Sequence, residues 1–425
     1  MRFNPLSFLP MVALLAACSL ADSPDAGDDA MAGSAGTNPG AGASAGGTAA
    51  SGGSAPTAGS GTSAGTGAGG SPVAGGAGSG NAGSTSAGSA TGGAGGAGAG
   101  GTSSTAGSAG SAAGGAPPTT ASGLPVPPGA SDVPKPAGAG TNITVVHWAG
   151  FKGAVSYSFD DDNTSQIQNY SQLNALGVHF TFFMWTGKAE ATNAIWKTAL
   201  KDGHEIANHT KSHQSAGTGD DIDAATMFIT QQFGVQPWSM AAPNGAAVYT
   251  TLTKGRFFIN RGVGNGLIGP GDNSDPFTLP TFIPPQGAST AAFNSEVDSA
   301  RSAGKWKTMC IHGFTGDGAA YQPVPVDQFI ESVKHAKSTG DMWIDTITNV
   351  GAYWLGEKAF NAATTMSSGN DKTWTWKLPD KFPTGHYLRV TVAGGSLKQG
   401  GTPLVWDPHG YYEVSLDAGS VTLSP

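Results

Sequence analysis

Ala154-Val155-Ser156-Tyr157-Ser158-Phe159-Asp160-Asp161 decides how the chain folds. Small and large residues alternate over its first six positions, the two-residue period of a β-strand, and the run ends on two carboxylates in tandem. The segment from there to Leu176 reads as a helix closed by Gly177, and residues 179–185, rich in Phe and Thr, read as a second strand. A helix at 192–201 stops at Gly203, and 204–207 reads as a third strand. Further on, the pattern predicts a helix at 222–233, a strand at 307–311, a helix at 326–337, a strand at 342–345 and a helix at 347–354. Such alternation implies parallel strands covered by helices, with functional groups at the carboxyl ends of the strands.

Outside this region the composition changes sharply. Of 425 residues 67 are Gly, and from about Asp22 to Ala116 the chain is almost only Gly, Ala, Ser and Thr. No aromatic residue occurs there, so no core can form, and a disordered tether is expected. A coil of roughly 115 such residues reaches on the order of 60 Å. Its end, 123–136, carries Pro125, Pro127, Pro128, Pro134 and Pro136, which favour extended backbone. The formal net charge of -8, with no Lys/Arg cluster, argues against nucleic acid as a partner. With two cysteines, Cys18 and Cys310, no disulfide framework supports the fold.

The first residues have the order of an export signal: basic Arg2, an apolar run from Phe8 to Leu15, then Leu15-Ala16-Ala17-Cys18. The run is too short to span a bilayer. Its end resembles the bacterial lipobox, which implies a lipid-anchored Cys18 and a membrane partner at the cell envelope. Ser19 after the cysteine suggests, by the same resemblance, the outer membrane or cell surface.

The chemistry gathers at three strand ends. Asp160-Asp161 alone is a weak signal, because Asp commonly ends strands. His209 and His213, four apart after the third strand, can face one ion if the segment is helical or tightly turned. His312 follows Thr308-Met309-Cys310-Ile311, where a half-buried polar cap is the plainer alternative. Together these groups could assemble one site. The ordered motifs Ser158-Phe159-Asp160-Asp161, His209-Thr210-Lys211-Ser212-His213, Ala241-Ala242-Pro243-Asn244-Gly245 and Met309-Cys310-Ile311-His312 resemble those of the polysaccharide deacetylase family, the NodB-homology carbohydrate esterases.

The resemblance implies a distorted (β/α) barrel that removes N- or O-linked acetyl groups from a polysaccharide. It implies a divalent metal, Zn before Co or another first-row ion, on Asp161, His209 and His213, with Asp160 as catalytic base and His312 as catalytic acid. One carboxylate and two imidazoles leave open positions for water and a carbonyl, as catalytic zinc sites require. Pro243, Asn244, Arg261 and Cys310 are candidates for the substrate and oxyanion surroundings. The chain departs from the pattern at Asp162, where the family has Gly, at Ala241, where it has an arginine that pairs with the base, and in residues 257–275, which lack its Asp-Trp pair. Asp162 is expected to cap the following helix. Arg261, after the β-prone run 258–260, is the expected substitute for the missing arginine.

Two rival functions follow from the same residues. The departures allow an inactive carbohydrate-binding protein of the same fold, and two His with one carboxylate also suit non-haem iron. A spare Asp and His poised for hydrolysis disfavour the second. The expected organisation is a signal and lipobox at 1–18, a tether at 19–140, the deacetylase-like domain at 141–360 and a small β-rich module at 361–425. Within that module Trp374 and Trp376 occupy alternate strand positions on one side, as core residues or as a sugar platform.

Overall fold

The computed structural model describes residues 119–425. Cys18, the export signal and the Gly-rich tether lie outside the described residues. The elements run β1 (Ile143–Val145), β2 (Gly153–Asp160), α1 (Thr164–Asn174), β3 (Thr181–Met184), α2 (Ile195–Lys201), β4 (Glu205–Asn208), α3 (Gly219–Phe233), β5 (Ser239–Ala241), α4 (Val248–Leu252) and β6 (Ile259–Arg261). There follow α5 (Thr290–Ala303), β7 (Trp306–Ile311), α6 (Val326–Ser338), β8 (Met342–Ile344) and α7 (Ile347–Asn361). The remaining strands are β9 (Thr364–Ser368), β10 (Asp371–Thr375), β11 (Tyr387–Val392), β12 (Ser396–Gln399), β13 (Thr402–Pro403), β14 (Tyr412–Ser415) and β15 (Ser420–Ser424).

Strands β6-β5-β4-β3-β2-β7 form a curled parallel sheet, with β8 also paired to β2. Its edges β6 and β7 do not meet. Residues 279–282 run between them, bridging Arg261 through Leu279 and Met309 through Phe282. The result is a half-barrel, in keeping with the distorted (β/α) barrel that the sequence resemblance implies.

Every residue of the central strand β2 is buried, but its two faces do different work. Val155, Tyr157 and Phe159 join the apolar cluster under α1, α5 and α6, where Phe159 and Phe182 stack with ring centroids 5.2 Å apart. Ser156 and Ser158 lie on the other face. Ser158 Oγ donates to Met309 O at 2.8 Å, and Ser156 Oγ accepts from Trp306 Nε1 at 3.0 Å, so buried hydroxyls keep their partners. Period-two alternation then puts Asp160 on the serine face, at the mouth of the curl.

Helix α7 runs to Asn361, past the expected end, and is buried around most of its circumference. It lies between β2 and β11. At Gly356 a Cβ would stand 2.5 Å from Leu416 Cδ1, so any larger residue would have to push Leu416 aside.

Packing crosses two of the expected domain boundaries. The antiparallel sheet β1-β11-β14 takes β1 from before the deacetylase strands, and Trp306, Trp354, Phe360, Leu388 and Leu416 share one apolar core. The expected C-terminal β-rich module is present, with the five-stranded sheet β13-β12-β15-β10-β9, and it packs on the deacetylase strands through that shared core. Trp374 and Trp376 are buried in that core, with Trp376 Nε1 donating to Leu416 O at 3.0 Å, so they form no sugar platform. Nor does the tether continue to residue 140: Leu124, Pro125 and Pro127 are buried. Buried Arg389 holds them, with Nη1 donating to Pro125 O at 2.8 Å and Nη2 to Glu413 at 3.1 Å. Among the described residues no helix is long and apolar enough to cross a membrane.

Candidate active site

Asp160, Asp161, His209, His213, Arg261 and His312 converge on one cleft of about 390 Å3 at the carboxyl ends of the strands. Successive strand residues normally point to opposite faces, yet both carboxylates reach this cleft. The reason is local: Asp161 takes φ 73° and Asp162 φ 43°, so the chain turns through the left-handed region as it leaves β2. Asp is among the few side chains that tolerate this region, which accounts for Asp162 standing where the family has Gly. Asp162 does not cap α1. Its Oδ1 accepts from Trp185 N at 2.8 Å, and burial pushes its carboxyl up to about 7.

The histidine segment is a tight turn, not a helix. Thr210 has φ 64° and His213 φ 54°, and the turn closes by Thr210 N donating to Asn208 Oδ1 at 2.8 Å and His213 N to Thr210 Oγ1 at 3.0 Å. His209 Nδ1 lies 2.9 Å from Ala241 O and donates to it, which leaves the Nε2 lone pair facing the cleft. His213 is fixed by stacking on Trp185, centroids 4.6 Å apart. Both Nε2 atoms stand 3.4 Å from Asp161 Oδ1.

That oxygen is buried and accepts no hydrogen bond. Two imidazole lone pairs and a carboxylate oxygen, converging with an orphaned buried acceptor between them, fit a first-row divalent ion. Burial alone would raise the Asp161 carboxyl, but the neighbouring histidines hold it well below the usual carboxylate range. Lys188 Nζ fixes the turn from behind, donating to Asp161 O at 2.8 Å and Asn163 Oδ1 at 2.6 Å.

Asp160 has a different partner. Its Oδ2 forms a buried ion pair with Arg261 Nη2. In the parallel register of β5 and β6, Arg261 lies directly beside Ala241. The guanidinium absent from position 241 thus arrives at the same level from the next strand. Burial would raise the Asp160 carboxyl, and Arg261, then His209 and His312, outweigh it and keep the carboxyl below its ordinary value. The guanidinium also lies 5.3 Å over the Phe183 ring.

His312 Nε2 is 4.0 Å from Asp160 Oδ2. Its backbone is clamped to α1, its carbonyl accepting from Asn163 Nδ2 at 2.7 Å and Gln166 Nε2 at 2.9 Å. Burial holds its imidazole below the ordinary histidine value despite two nearby carboxylates. Asp272 and Asp275 serve local turns, accepting from Ser274 N and Phe277 N, so neither orients His312.

Asn244 and Gly245 line the cleft, but Pro243 and Cys310 do not. The amides of Gly245 and Ala246 are spent within their own turn, on Ala242 O and Pro243 O. Cys310 is fully buried behind His312, its Sγ 3.9 Å from the ring nitrogens. Sequence reasoning missed Trp185, Lys188, Gln166 and Tyr321, which fix or border the site.

The fold and the site define a class, and comparison with known proteins agrees with it. Residues 150–257 match the family described as polysaccharide deacetylase. The chain therefore carries a polysaccharide deacetylase domain, matched over residues 150–257. Similar solved structures include the esterase family 4 domain of a multidomain xylanase from the hindgut metagenome of Trinervitermes trinervoides. It is 16% identical over 47% of this chain and 89% of that one, with TM-score 0.33. The catalytic domain of a peptidoglycan N-acetylglucosamine deacetylase from Eubacterium rectale is 17% identical over 49% and 92%, with TM-score 0.33. A family 4 acetyl xylan esterase from Clostridium thermocellum, in complex with a cobalt ion, is 16% identical over 46% and 89%, with TM-score 0.30. No curated protein matches the chain.

Proposed function

We propose that the protein is a metal-dependent deacetylase acting on an acetylated polysaccharide at the bacterial cell envelope. The observation that carries this reading is the separation of two adjacent carboxylates into two environments. Asp161 Oδ1 stands 3.4 Å from both imidazoles, whereas Asp160, 3.6 Å from His209 alone of the pair, is held by Arg261; each carboxylate keeps one buried oxygen without a hydrogen bond.

Asp161, His209 and His213 would hold the ion, with zinc favoured by the N/O donor set and cobalt an alternative. When bound, it polarises the acetyl carbonyl and offsets the negative charge that develops on the oxygen. Asp160, kept ionised by Arg261, accepts the proton of the attacking water. His312, its Nε2 4.0 Å from Asp160 Oδ2, is placed to receive that proton from Asp160 and pass it to the departing amine or alcohol. Asn244 and Gly245 border the space where the acetyl group would sit. The Arg261–Asp160 pair also removes one motive for reading the chain as an inactive sugar binder, since the base keeps its cation.

For localisation we propose a lipid anchor at Cys18 and a tether that lets the enzyme range from the membrane. The motif Leu15-Ala16-Ala17-Cys18 and the Gly-rich composition support it.

Acetate release from acetylated xylo-oligosaccharides and N-acetylglucosamine oligomers, before and after chelation, tests the function. Release that chelation abolishes and zinc or cobalt restores is expected. Stoichiometric metal binding without acetate release from any acetylated oligosaccharide would overturn it.

A further inference from the structure

The cleft is divided by chemistry. Its floor carries the titratable groups, whereas Ala242, Val263, Ile283 and Tyr321 make an apolar border. Val263 is 47% exposed and Tyr321 58% exposed. A single exposed aromatic is ordinary on a protein surface, so exposure alone decides nothing. The setting of Tyr321 is less ordinary. Its ring meets His312 edge to face, centroids 5.2 Å apart, and its hydroxyl accepts from Gln322 Nε2 at 3.1 Å.

The loop that presents it is tied at several points. Phe314 N donates to Ser165 Oγ at 2.9 Å, Ser165 N to Asp317 Oδ2 at 2.8 Å, and Thr315 N to Val324 O at 2.9 Å. Gln322, next to the tyrosine, sits at φ 45°, a left-handed conformation costly for a residue of its kind. A well-braced loop thus holds an aromatic ring partly in water beside the catalytic histidine.

The geometry points to Tyr321 as the platform on which the sugar ring beside the acetylated unit stacks, so that it selects a saccharide chain over a small acetyl ester. The assignment rests on the deacetylase reading. A pyranose ring offers a C–H face to an aromatic ring and keeps its hydroxyls for water, and a two-χ tyrosine supplies that surface at little entropic cost. Val263 and Ile283 complete the apolar border. A small acetyl ester fills only the floor and has no ring to reach Tyr321. The tyrosine is therefore a specificity residue, and the acetyl chemistry does not require it.

The full chain, loaded with zinc, tests this with three probes: ethyl acetate, the N-acetylglucosamine tetramer and acetylated xylotetraose. Tyr321→Ala should weaken calorimetric binding of the tetramer that the wild type takes, and raise KM for it, about tenfold. The kcat should stay within about twofold, and hydrolysis of ethyl acetate should fall far less than hydrolysis of the tetramer. Tyr321→Phe, which keeps the ring, should restore the wild-type values. Equal losses on the tetramer and the small ester would overturn the platform in favour of a role in holding His312. So would unchanged tetramer binding in Tyr321→Ala, or wild type that cleaves the small ester and binds neither tetramer. Wild type that cleaves no acetyl ester or amide but binds a tetramer through Tyr321 would instead refute the deacetylase reading and leave the platform standing.

Discussion

Replacing Arg261 by Met keeps a long side chain and removes the guanidinium that faces Asp160. Both residues are almost sealed from water, Arg261 at 1% and Asp160 at 2% exposure, so solvent cannot substitute for the lost partner. Breaking a buried pair by removing one member costs about 3–5 kcal/mol, because the remaining charge is left uncompensated. With a urea slope of about 3 kcal/mol per M, the unfolding midpoint should fall by roughly 1–2 M. The effect on rate is separate. A positioned base contributes about 10²–10⁴-fold, and an Asp160 carboxylate neither oriented nor kept ionised should forfeit about 10²-fold, near 2.7 kcal/mol of barrier. Arg261→Lys, which returns a charge without the planar fork, should recover only part. In Asp160→Asn the further change of Arg261 should add little, since the two act as one unit. The assay is kcat/KM for acetate release, measured well below the unfolding midpoint. A kcat/KM for Arg261→Met within about twofold of wild type, under about 0.5 kcal/mol, would refute the pairing as a source of catalysis.

Three further outcomes follow from the same geometry. His204 Nδ1 accepts from Phe180 N at 3.0 Å, and burial lowers its imidazole from 6.5 to about 4. The unfolded chain therefore binds this proton first: the contribution is full above pH 6.5 and is lost as pH falls toward 4, up to about 3 kcal/mol in all. Urea midpoints at pH 8 and pH 5 should differ more in wild type than in His204→Gln, and equal differences would count against it. Arg389→Met should cost about 3 kcal/mol or more and expose residues 119–127 to limited proteolysis, whereas an unchanged digest would show that Arg389 does not hold this segment. Cys18→Ala should move the protein from the detergent phase to the aqueous phase on fractionation, and identical partitioning of both forms would exclude the anchor.

What the sequence made legible follows the range of each signal. The strand of residues 154–159, its terminal carboxylates, His209, His213 and His312 were readable because alternation and local spacing encode them. Helix α5 was not read: its buried residues Phe293, Val297 and Ala300 do stand at helical spacing, but three of fourteen residues, among Ala, Ser and charged side chains, make a thin stripe. Strand β5 has three residues, and residues 279–282 hold the sheet edges through isolated bridges, too short for any period to register. Arg261 could be picked out as a cation after a β-prone run, but its placement beside Ala241 is a register between strands. The packing across residues 140 and 360 was hidden for a similar reason. Strand β1 and Arg389 join segments more than two hundred residues apart, and composition carries no trace of such pairing. Tyr321 stands alone in a Gly-, Ala- and Pro-containing loop, where only the folded chain shows that it meets His312.

The division of labour between Asp160 and Asp161 is tested most directly by elemental analysis of the wild type, Asp160→Asn and Asp161→Ala, purified identically and scored for metal per chain. Asp161 shares the imidazole-lined pocket and Asp160 faces Arg261, so Asp160→Asn should keep about one equivalent and Asp161→Ala should lose it. The reverse pattern, with metal stripped by Asp160→Asn and retained by Asp161→Ala, would contradict the assignment of both carboxylates.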